Sequence, residues 1–142
     1  MRLEEQLIRH EGIVLHAYQD SEGYWTIGVG RLIDKRKGGG ITKKEALYLL
    51  DNDIEACKKD LIEFLPWTCN LDPVRFDVLM NMCFNLGIGG LLKFTNTLEL
   101  TKEGYYDKSS AAMLKSKWAE QVKSRALELA NQMLSGKYQD QE

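Results

Sequence analysis

The sequence has only two prolines, no Cys-x-x-Cys pair and no large excess of charge of either sign. With few prolines, long helices are permitted. The cysteines, Cys57, Cys69 and Cys83, are three in number, so at least one is unpaired within a monomer, and their spacing matches no zinc site. We therefore expect buried structural thiols in a protein made in a reducing compartment, with no metal and no cofactor.

Long hydrophobic runs are also lacking. No apolar stretch is long enough to span a bilayer, and the N-terminal sequence MRLEEQLIRH lacks the apolar core of a signal peptide. These features predict synthesis in the cytoplasm and no stable membrane insertion. The net charge of -2 argues against a general nucleic-acid binder, because such proteins usually carry a basic excess.

The pattern of apolar residues predicts an α+β fold of one ordinary domain, since strands and helices are segregated along the chain. A helix should end near Glu11, and strand formers with turn signals follow as far as Ile33. Thr42 and Glu45 fit a capping box at the start of a long helix that ends near Pro66. Further helices are predicted over Val74–Leu86, Thr97–Glu103, Lys108–Lys115 and Ala119–Leu134, with the segment Gly87-Ile88-Gly89-Gly90 and Gly136 as stops.

Two carboxylates in the N-terminal third are candidates for a catalytic pair. Glu11 lies at a helix end, Asp20 lies in a hairpin turn, and Thr26 lies on the returning strand. Glycosidic cleavage needs one carboxyl to protonate the leaving oxygen and a second to stabilise the developing cation or activate water. A helix end facing a hairpin could supply both in different environments, although spacing alone is a weak signal.

The surrounding residues strengthen that signal. Several blocks, in order along almost the whole chain, resemble the phage-type lysozymes of the T4 family. These are Glu11-Gly12, Tyr18 to Gly30, Ile41 to Ala46, Asn81 to Gly87, Phe94 to Leu98, Lys115 to Trp118 and Ser124 to Ala126.

The resemblance implies a two-lobed muramidase that acts on bacterial peptidoglycan as a monomer. It implies a small lobe over about 12–42, a connecting helix over about 43–65 and a helical lobe over about 66–142 that also takes the N-terminal helix 1–11. Glu11 would be the general acid, and Asp20 with Thr26 would hold the attacking water. The further residues that the family pattern implicates are Leu32, Phe84 and Thr97 in the saccharide cleft, Arg125 beside the acid, and Glu22 and Lys117 across the cleft mouth.

Two positions depart from the family pattern. Arg31 stands where members often have His, and it cannot give up its proton near neutrality. Ala112 stands where some members have a polar saccharide contact. These departures concern fine specificity, and the reaction class is unaffected. A cytoplasmic enzyme of this kind would reach the wall through a separate membrane-permeabilising factor.

Other interpretations fit less well. His10-Glu11 with His16 is not a zinc-protease motif, because the second His should stand where Val14 is. The basic run 35–37 with Lys43 and Lys44 is a solvated surface or is attracted to the anionic bacterial wall. No aromatic residues alternate with these charges, which disfavours binding of single-stranded nucleic acid. The aromatics Phe76, Phe84, Trp67 and Trp118 are expected mainly in the core. The rival function is a wall-binding module that keeps the lysozyme fold without catalysis.

Overall fold

Three short strands and seven α-helices make up the described part of the chain. The structure, a computed structural model, describes residues 2–19, 21–29, 31–32 and 41–139, without the side chains of residues 2–4 and 11. In chain order the elements are α1 (Arg2–Glu11), β1 (Val14–Gln19), β2 (Trp25–Gly28), β3 (Arg31–Leu32), α2 (Lys43–Phe64), a 3-10 turn (Pro66–Asn70), α3 (Pro73–Leu92), α4 (Thr95–Lys102), α5 (Tyr106–Leu114), α6 (Lys117–Val122) and α7 (Ser124–Ser135). The predicted α+β class is confirmed.

The chain divides into two compact units, Met1–Leu50 and Asp51–Glu142, and the division falls within α2. The first unit holds α1 and an antiparallel sheet with strand order β1-β2-β3. The second unit holds the remaining helices and the buried apolar cluster. The finer lobe boundaries, including the assignment of the N-terminal helix to the helical lobe, stay a prediction.

Helix α2 begins with the predicted capping box. The Glu45 backbone N–H donates to Thr42 Oγ1 over 3.1 Å, and Glu45 Oε1 accepts from the Thr42 backbone N–H over 3.1 Å. These two bonds satisfy backbone donors that the first turn of a helix leaves without partners. The predicted strand over Arg31–Ile33 is confirmed for Arg31–Leu32, whereas Ile33 and the basic run 35–37 lie outside the described residues.

Helix α3 is the central element of the second unit. Asp72 caps its start by accepting from the Arg75 backbone N–H over 3.0 Å, and Pro73 takes the first helical position, as the sequence predicts. The predicted break at Gly87 is confirmed. Gly87 takes a φ of 76°, which breaks the helical path for one residue, and the helix then resumes as far as Leu92.

The predicted helix over Ala119–Leu134 is in fact two helices, α6 and α7. The side chain of Ser116 caps α6 by accepting from the Ala119 backbone N–H over 3.1 Å, so the helix begins earlier than predicted. Lys123 separates the two helices with a φ of 38° and a ψ of -97°. Side chains rarely tolerate positive φ, and Lys carries no sequence signal for it. The predicted stop at Gly136 is confirmed.

The buried apolar cluster contains the predicted core of α3 together with residues of α2 and of the helices after α3. Trp118 is 4% exposed and belongs to it, and Phe76 and Trp67 pack against it. The expectation of a core position is wrong for Phe84, which is 46% exposed. The cysteines are free thiols, as expected, but only Cys83 is buried: Cys57 is half-buried and Cys69 is exposed.

Arg75 joins the start of α3 to the end of α7. Its Nε donates to the Met133 carbonyl over 2.7 Å and its Nη2 donates to the Leu134 carbonyl over 3.0 Å. Its guanidinium also pairs with Asp72 and lies 3.8 Å from the centre of the Tyr106 ring. The last carbonyls of α7, which have no partner within the helix, are thus satisfied by a cation, which the helix dipole also favours there.

Within the described ranges, no single helix is long and apolar enough to cross a membrane. Helices α3 and α4, bent by 106° relative to each other, meet the length and composition criteria only as a pair.

The contact of Arg75 with the end of α7, called the clamp from here on, predicts a specific loss of folding stability for Gly136→Ala. A Cβ at Gly136 would lie 2.9 Å from Arg75 Nη1, at a φ of 69°. Gly104 has a similar φ of 83° but open space around it, so Gly104→Ala is the matched control. We expect Gly104→Ala to cost about 1 kcal/mol and Gly136→Ala about 2 kcal/mol or more, because only the latter displaces the guanidinium. Urea unfolding measures both; equal losses would refute the clamp.

The cysteines should differ sharply in reactivity. Burial raises the pKa of the Cys83 thiol to about 12, and the neighbouring Cys57 and Asp60 add to the rise. The thiolate is the reactive form, so at pH 8 only about one Cys83 in ten thousand is reactive. A chromogenic thiol reagent should modify exposed Cys69 quickly in the native protein and leave Cys83 untouched. The denatured, unreduced protein should show all three thiols; a stoichiometric disulfide would contradict this.

Candidate active site

The first proposed carboxylate, Glu11, is the last residue of α1. The helix ends here because Gly12 takes a φ of 75°, and its N–H donates to the Ile8 carbonyl over 2.8 Å. The sequence therefore places Glu11 correctly at a helix C-terminus. Its side chain and the whole of Asp20 lie outside the described residues, so the distance between the two carboxyls, and with it the predicted pairing, stays a prediction.

Thr26 lies in the middle of the sheet and is 3% exposed. Its neighbours in register are Tyr18 on β1 and Leu32 on β3. Residues directly opposite each other in antiparallel strands point to the same face of a sheet. The structure therefore places two of the predicted site residues, Thr26 and Leu32, side by side on one face. Leu32 is 46% exposed there.

The Thr26 hydroxyl has a defined orientation. Its Oγ1 donates to the Tyr24 carbonyl over 3.1 Å. A hydroxyl has one hydrogen and two lone pairs, so this bond leaves the Thr26 oxygen as an acceptor. An acceptor of this kind can hold a water by one hydrogen and so fix the direction of the water's own lone pairs.

Arg31, which replaces the His that the family often has, contacts the start of α2. Its guanidinium forms an ion pair with Glu45, the same residue that completes the capping box. Arg31 therefore ties β3 to the first turn of α2. This is a structural role that the sequence did not suggest. Glu22, the predicted cleft-mouth residue of this unit, is exposed in the turn before β2.

In the second unit, two of the predicted site residues, Thr97 and Lys117, line an open groove of about 610 Å³. Its lining includes Leu86, Phe94, Thr97, Ala112, Lys117 and Trp118. Thr97 is only 4% exposed, whereas Lys117 is exposed. Phe84 does not line this groove. An apolar floor with a few polar groups is typical of ligand sites.

Trp118 is held rigidly at this groove. Its ring packs edge-on against Phe94, with centroids 6.0 Å apart and planes at 84°. Its Nε1 donates to Asn85 Oδ1 over 2.7 Å. The sequence predicts Trp118 as a core residue, and the structure shows that it also forms the groove wall.

Arg125 has a partner that the sequence did not predict. Its guanidinium binds the side chain of Asn81: Nε and Nη2 donate to Asn81 Oδ1 over 2.9 Å and 2.6 Å. Asn81 and Asn85 stand one turn apart on α3, so one face of this apolar helix holds both Arg125 and Trp118. Two amides at i and i+4 in an apolar helix are the sequence signal that could have identified them.

No group of three or more His, Cys, Asp or Glu side chains that could hold a metal ion occurs among the described residues.

Comparison with known proteins gives consistent matches. A family model described as phage lysozyme matches residues 8–133. The chain is 28% identical over 151 residues to probable T4-type lysozyme 1 of Dictyostelium discoideum, covering 87% of this chain and 88% of that protein. It is 32% identical over 114 residues to an endolysin of Acyrthosiphon pisum secondary endosymbiont phage 1, covering 79% and 73%.

A further relative is a larger protein. The pre-baseplate central spike protein Gp5 of Enterobacteria phage T4 is 31% identical over 161 residues. The alignment covers 96% of this chain but 28% of the spike protein, so the chain spans less than a third of that relative.

Proposed function

Because the chain belongs to the phage lysozyme family, we propose that it hydrolyses the β-1,4 bond between N-acetylmuramic acid and N-acetylglucosamine in bacterial peptidoglycan. The observation that carries this proposal is the family match over residues 8–133, which spans Glu11, Asp20, Thr26 and Arg125. Membership supports a glycosidase of the lysozyme type. The bond and the residue roles are our proposal.

Glu11 acts as the general acid in this proposal. Its backbone stands at the C-terminal end of α1, where the helix dipole presents its negative end. A negative potential favours the neutral, protonated form of a carboxyl. A protonated Glu11 can donate to the glycosidic oxygen as the bond to the leaving sugar breaks, which relieves the negative charge that develops there.

Asp20 and Thr26 act on the opposite side of the sugar. The Thr26 oxygen, with its hydrogen engaged by Tyr24, accepts one hydrogen of the attacking water. Asp20 takes the other proton as the water attacks the anomeric carbon. The oxocarbenium-like transition state is thus flanked by an acid and a base. The products are two shorter glycans, and both carboxyls must exchange a proton with solvent before the next cycle.

The remaining predicted site residues bind the glycan or flank the cleft. Leu32, on the same sheet face as Thr26, packs against a sugar ring, and Thr97 and Phe84 contact the glycan from the helical unit. Glu22 and Lys117 form a weak pair at the mouth, worth under about 1 kcal/mol since both are exposed. The protein is a monomer made in the bacterial cytoplasm and reaches the wall through a separate membrane-permeabilising factor.

Replacing the general acid tests the proposal. Glu11→Gln keeps the side-chain shape but cannot donate the proton, so clearing of chloroform-permeabilised Gram-negative cells should fall by about 100-fold or more. Glu5→Gln makes the same chemical change at an exposed position of the same helix and serves as the control. Retention of more than a few per cent of activity, with unchanged circular dichroism, would refute Glu11. A wild-type protein that binds walls without clearing cells would support the inactive wall-binding module.

The stereochemistry of the product follows from the held water. A water between Asp20 and the anomeric carbon predicts inversion, whereas a retaining enzyme brings its carboxyls to about 5 Å and forms a sugar–enzyme bond. Proton NMR in the first minutes should show the α-anomer. Initial release of the β-anomer would overturn this and make Asp20 a nucleophile.

Thr26→Glu extends this test. The new carboxylate takes the place of the water and can attack the anomeric carbon, leaving a covalent glycosyl adduct that mass spectrometry detects. Thr26→Gln has the same size without a nucleophilic oxygen anion and should form no adduct. An adduct with both variants, or with neither, would count against a water held at Thr26.

A further inference from the structure

Two of the three thiols belong to one packed region of the second unit. Cys83 stands on α3 and is 2% exposed within the buried apolar cluster. Cys57 stands on α2, one helical turn before the fully buried Leu61, and packs against the same cluster. Residues one turn apart share a face of a helix, so Cys57 faces the cluster as Leu61 does. The contact between α2 and α3 therefore contains both thiols.

The two side chains are also close enough to affect each other's ionisation. Burial is the main cause that raises the pKa of the Cys83 thiol, and the neighbouring Cys57 raises it further. Helices in contact have axes about 8–10 Å apart, and each Cα lies about 2.3 Å from its axis. Facing residues can therefore bring their Cα atoms to the separation of about 4.4–6.8 Å that a disulfide spans.

The proposed reaction gives these thiols no part. Neither Cys57 nor Cys83 lines the groove of the second unit, and neither belongs to the proposed acid, base or water-holding residues. Their exposures differ, since Cys57 is half-buried and Cys83 is buried. A reagent from solvent can thus reach one member of the pair, while the other stands behind it in the core. This is the arrangement of an attacking thiol with a resolving thiol.

We propose that Cys57 and Cys83 form a modification site, a dithiol that a disulfide oxidant converts into a bond between α2 and α3, with Cys69 outside the pair. The chemistry of this site is independent of the proposed function, and only its setting rests on it. The proposed route leads from a cytoplasm that keeps thiols reduced to the wall, where disulfides persist. In that setting the protein is made with three thiols, and the bond forms after release.

The oxidation takes two exchange steps. The Cys57 thiolate attacks one sulfur of a small disulfide such as oxidised glutathione, whose S–S bond breaks, and one glutathione thiol leaves. Cys83 then gives its proton to solvent, and its sulfur attacks the Cys57 sulfur and displaces the second glutathione. Two protein thiols are oxidised to one disulfide, and one glutathione disulfide is reduced to two thiols. Cys83 itself never reacts with the outside reagent.

The second step is slow but intramolecular. The high pKa of Cys83 leaves little of it as thiolate, which lowers the rate. Two groups held side by side react as if each were present at a very high concentration, which raises the rate. When Cys57 carries glutathione it can no longer hold a negative charge, so its own contribution to the raised pKa of Cys83 disappears. The first step thus favours the second.

The bond should stabilise the second unit. It closes a loop from residue 57 to residue 83, which contains the end of α2, the 3-10 turn and the first half of α3. Such a link restricts the unfolded chain more than the folded one. We expect Tm to rise by about 5–10 °C on oxidation and to return on addition of a reductant.

The decisive experiment uses the full chain with Cys69→Ser, which removes the exposed thiol and keeps the pair. The protein is reduced, freed of reductant and incubated with oxidised glutathione at mildly alkaline pH. Mass spectrometry should find a monomer that is lighter by two hydrogen atoms and carries no glutathione, and digestion should yield the peptides around Cys57 and Cys83 joined. Thermal unfolding of the same sample should show the rise in Tm.

Two controls each remove one member of the pair in the Cys69→Ser background. Cys57→Ser is a small change at a half-buried position; it should take up no glutathione and show no rise in Tm. Cys83→Ala removes the resolving thiol, so glutathione should stay on Cys57. A Cys69→Ser protein that keeps both thiols, keeps glutathione on Cys57 or links two chains would overturn the proposal. Failure of the wild-type protein to clear cells would refute the proposed function and leave this bond unaffected.

Discussion

Helix α3 buries Val78, Leu79, Met82 and Cys83 in one apolar cluster, and the rest of the helical unit depends on that burial. Each side chain of this size contributes about 2 kcal/mol when removed from water. Because the helix is fixed along its length, polar residues on its other faces occupy fixed positions as well. Arg75, Asn81 and Asn85 each use such a position to hold a residue of α6 or α7. The core thus determines where these polar side chains and their partners stand.

Local signals in the sequence predict much of this architecture. The capping residues Thr42 and Asp72 and the stop at Gly136 act through bonds within one or two turns, so their residue types alone reveal them. The placement of Thr26 and Leu32 on one sheet face follows from the alternation of strand residues and from the hairpin turns. For the same reason Glu11 can be placed at a helix end from its neighbour Gly12. The roles of these residues, in contrast, came only from the family pattern.

Features that depend on distant parts of the chain were not predictable. Gly87 breaks helix α3 as its residue type predicts, but the helical stretch that follows it as far as Leu92, with Leu91 fully buried, was not predicted. Lys123 adopts a positive φ because the two flanking helices require it, and nothing in its side chain favours that conformation. Phe84 is apolar in an apolar helix and nevertheless exposed, since the face of α3 that it occupies is not covered by the cluster. Tertiary packing overrides local preference at Lys123 and at Phe84.

The two units fix the positions of their side chains in different ways. The sheet unit supplies the proposed acid and the proposed water-holding hydroxyl from short elements, in which a few hydrogen bonds such as Thr26 to Tyr24 set the orientation. In the helical unit, the groove wall is fixed instead by contacts to the buried helix α3, such as the hydrogen bond from Trp118 to Asn85.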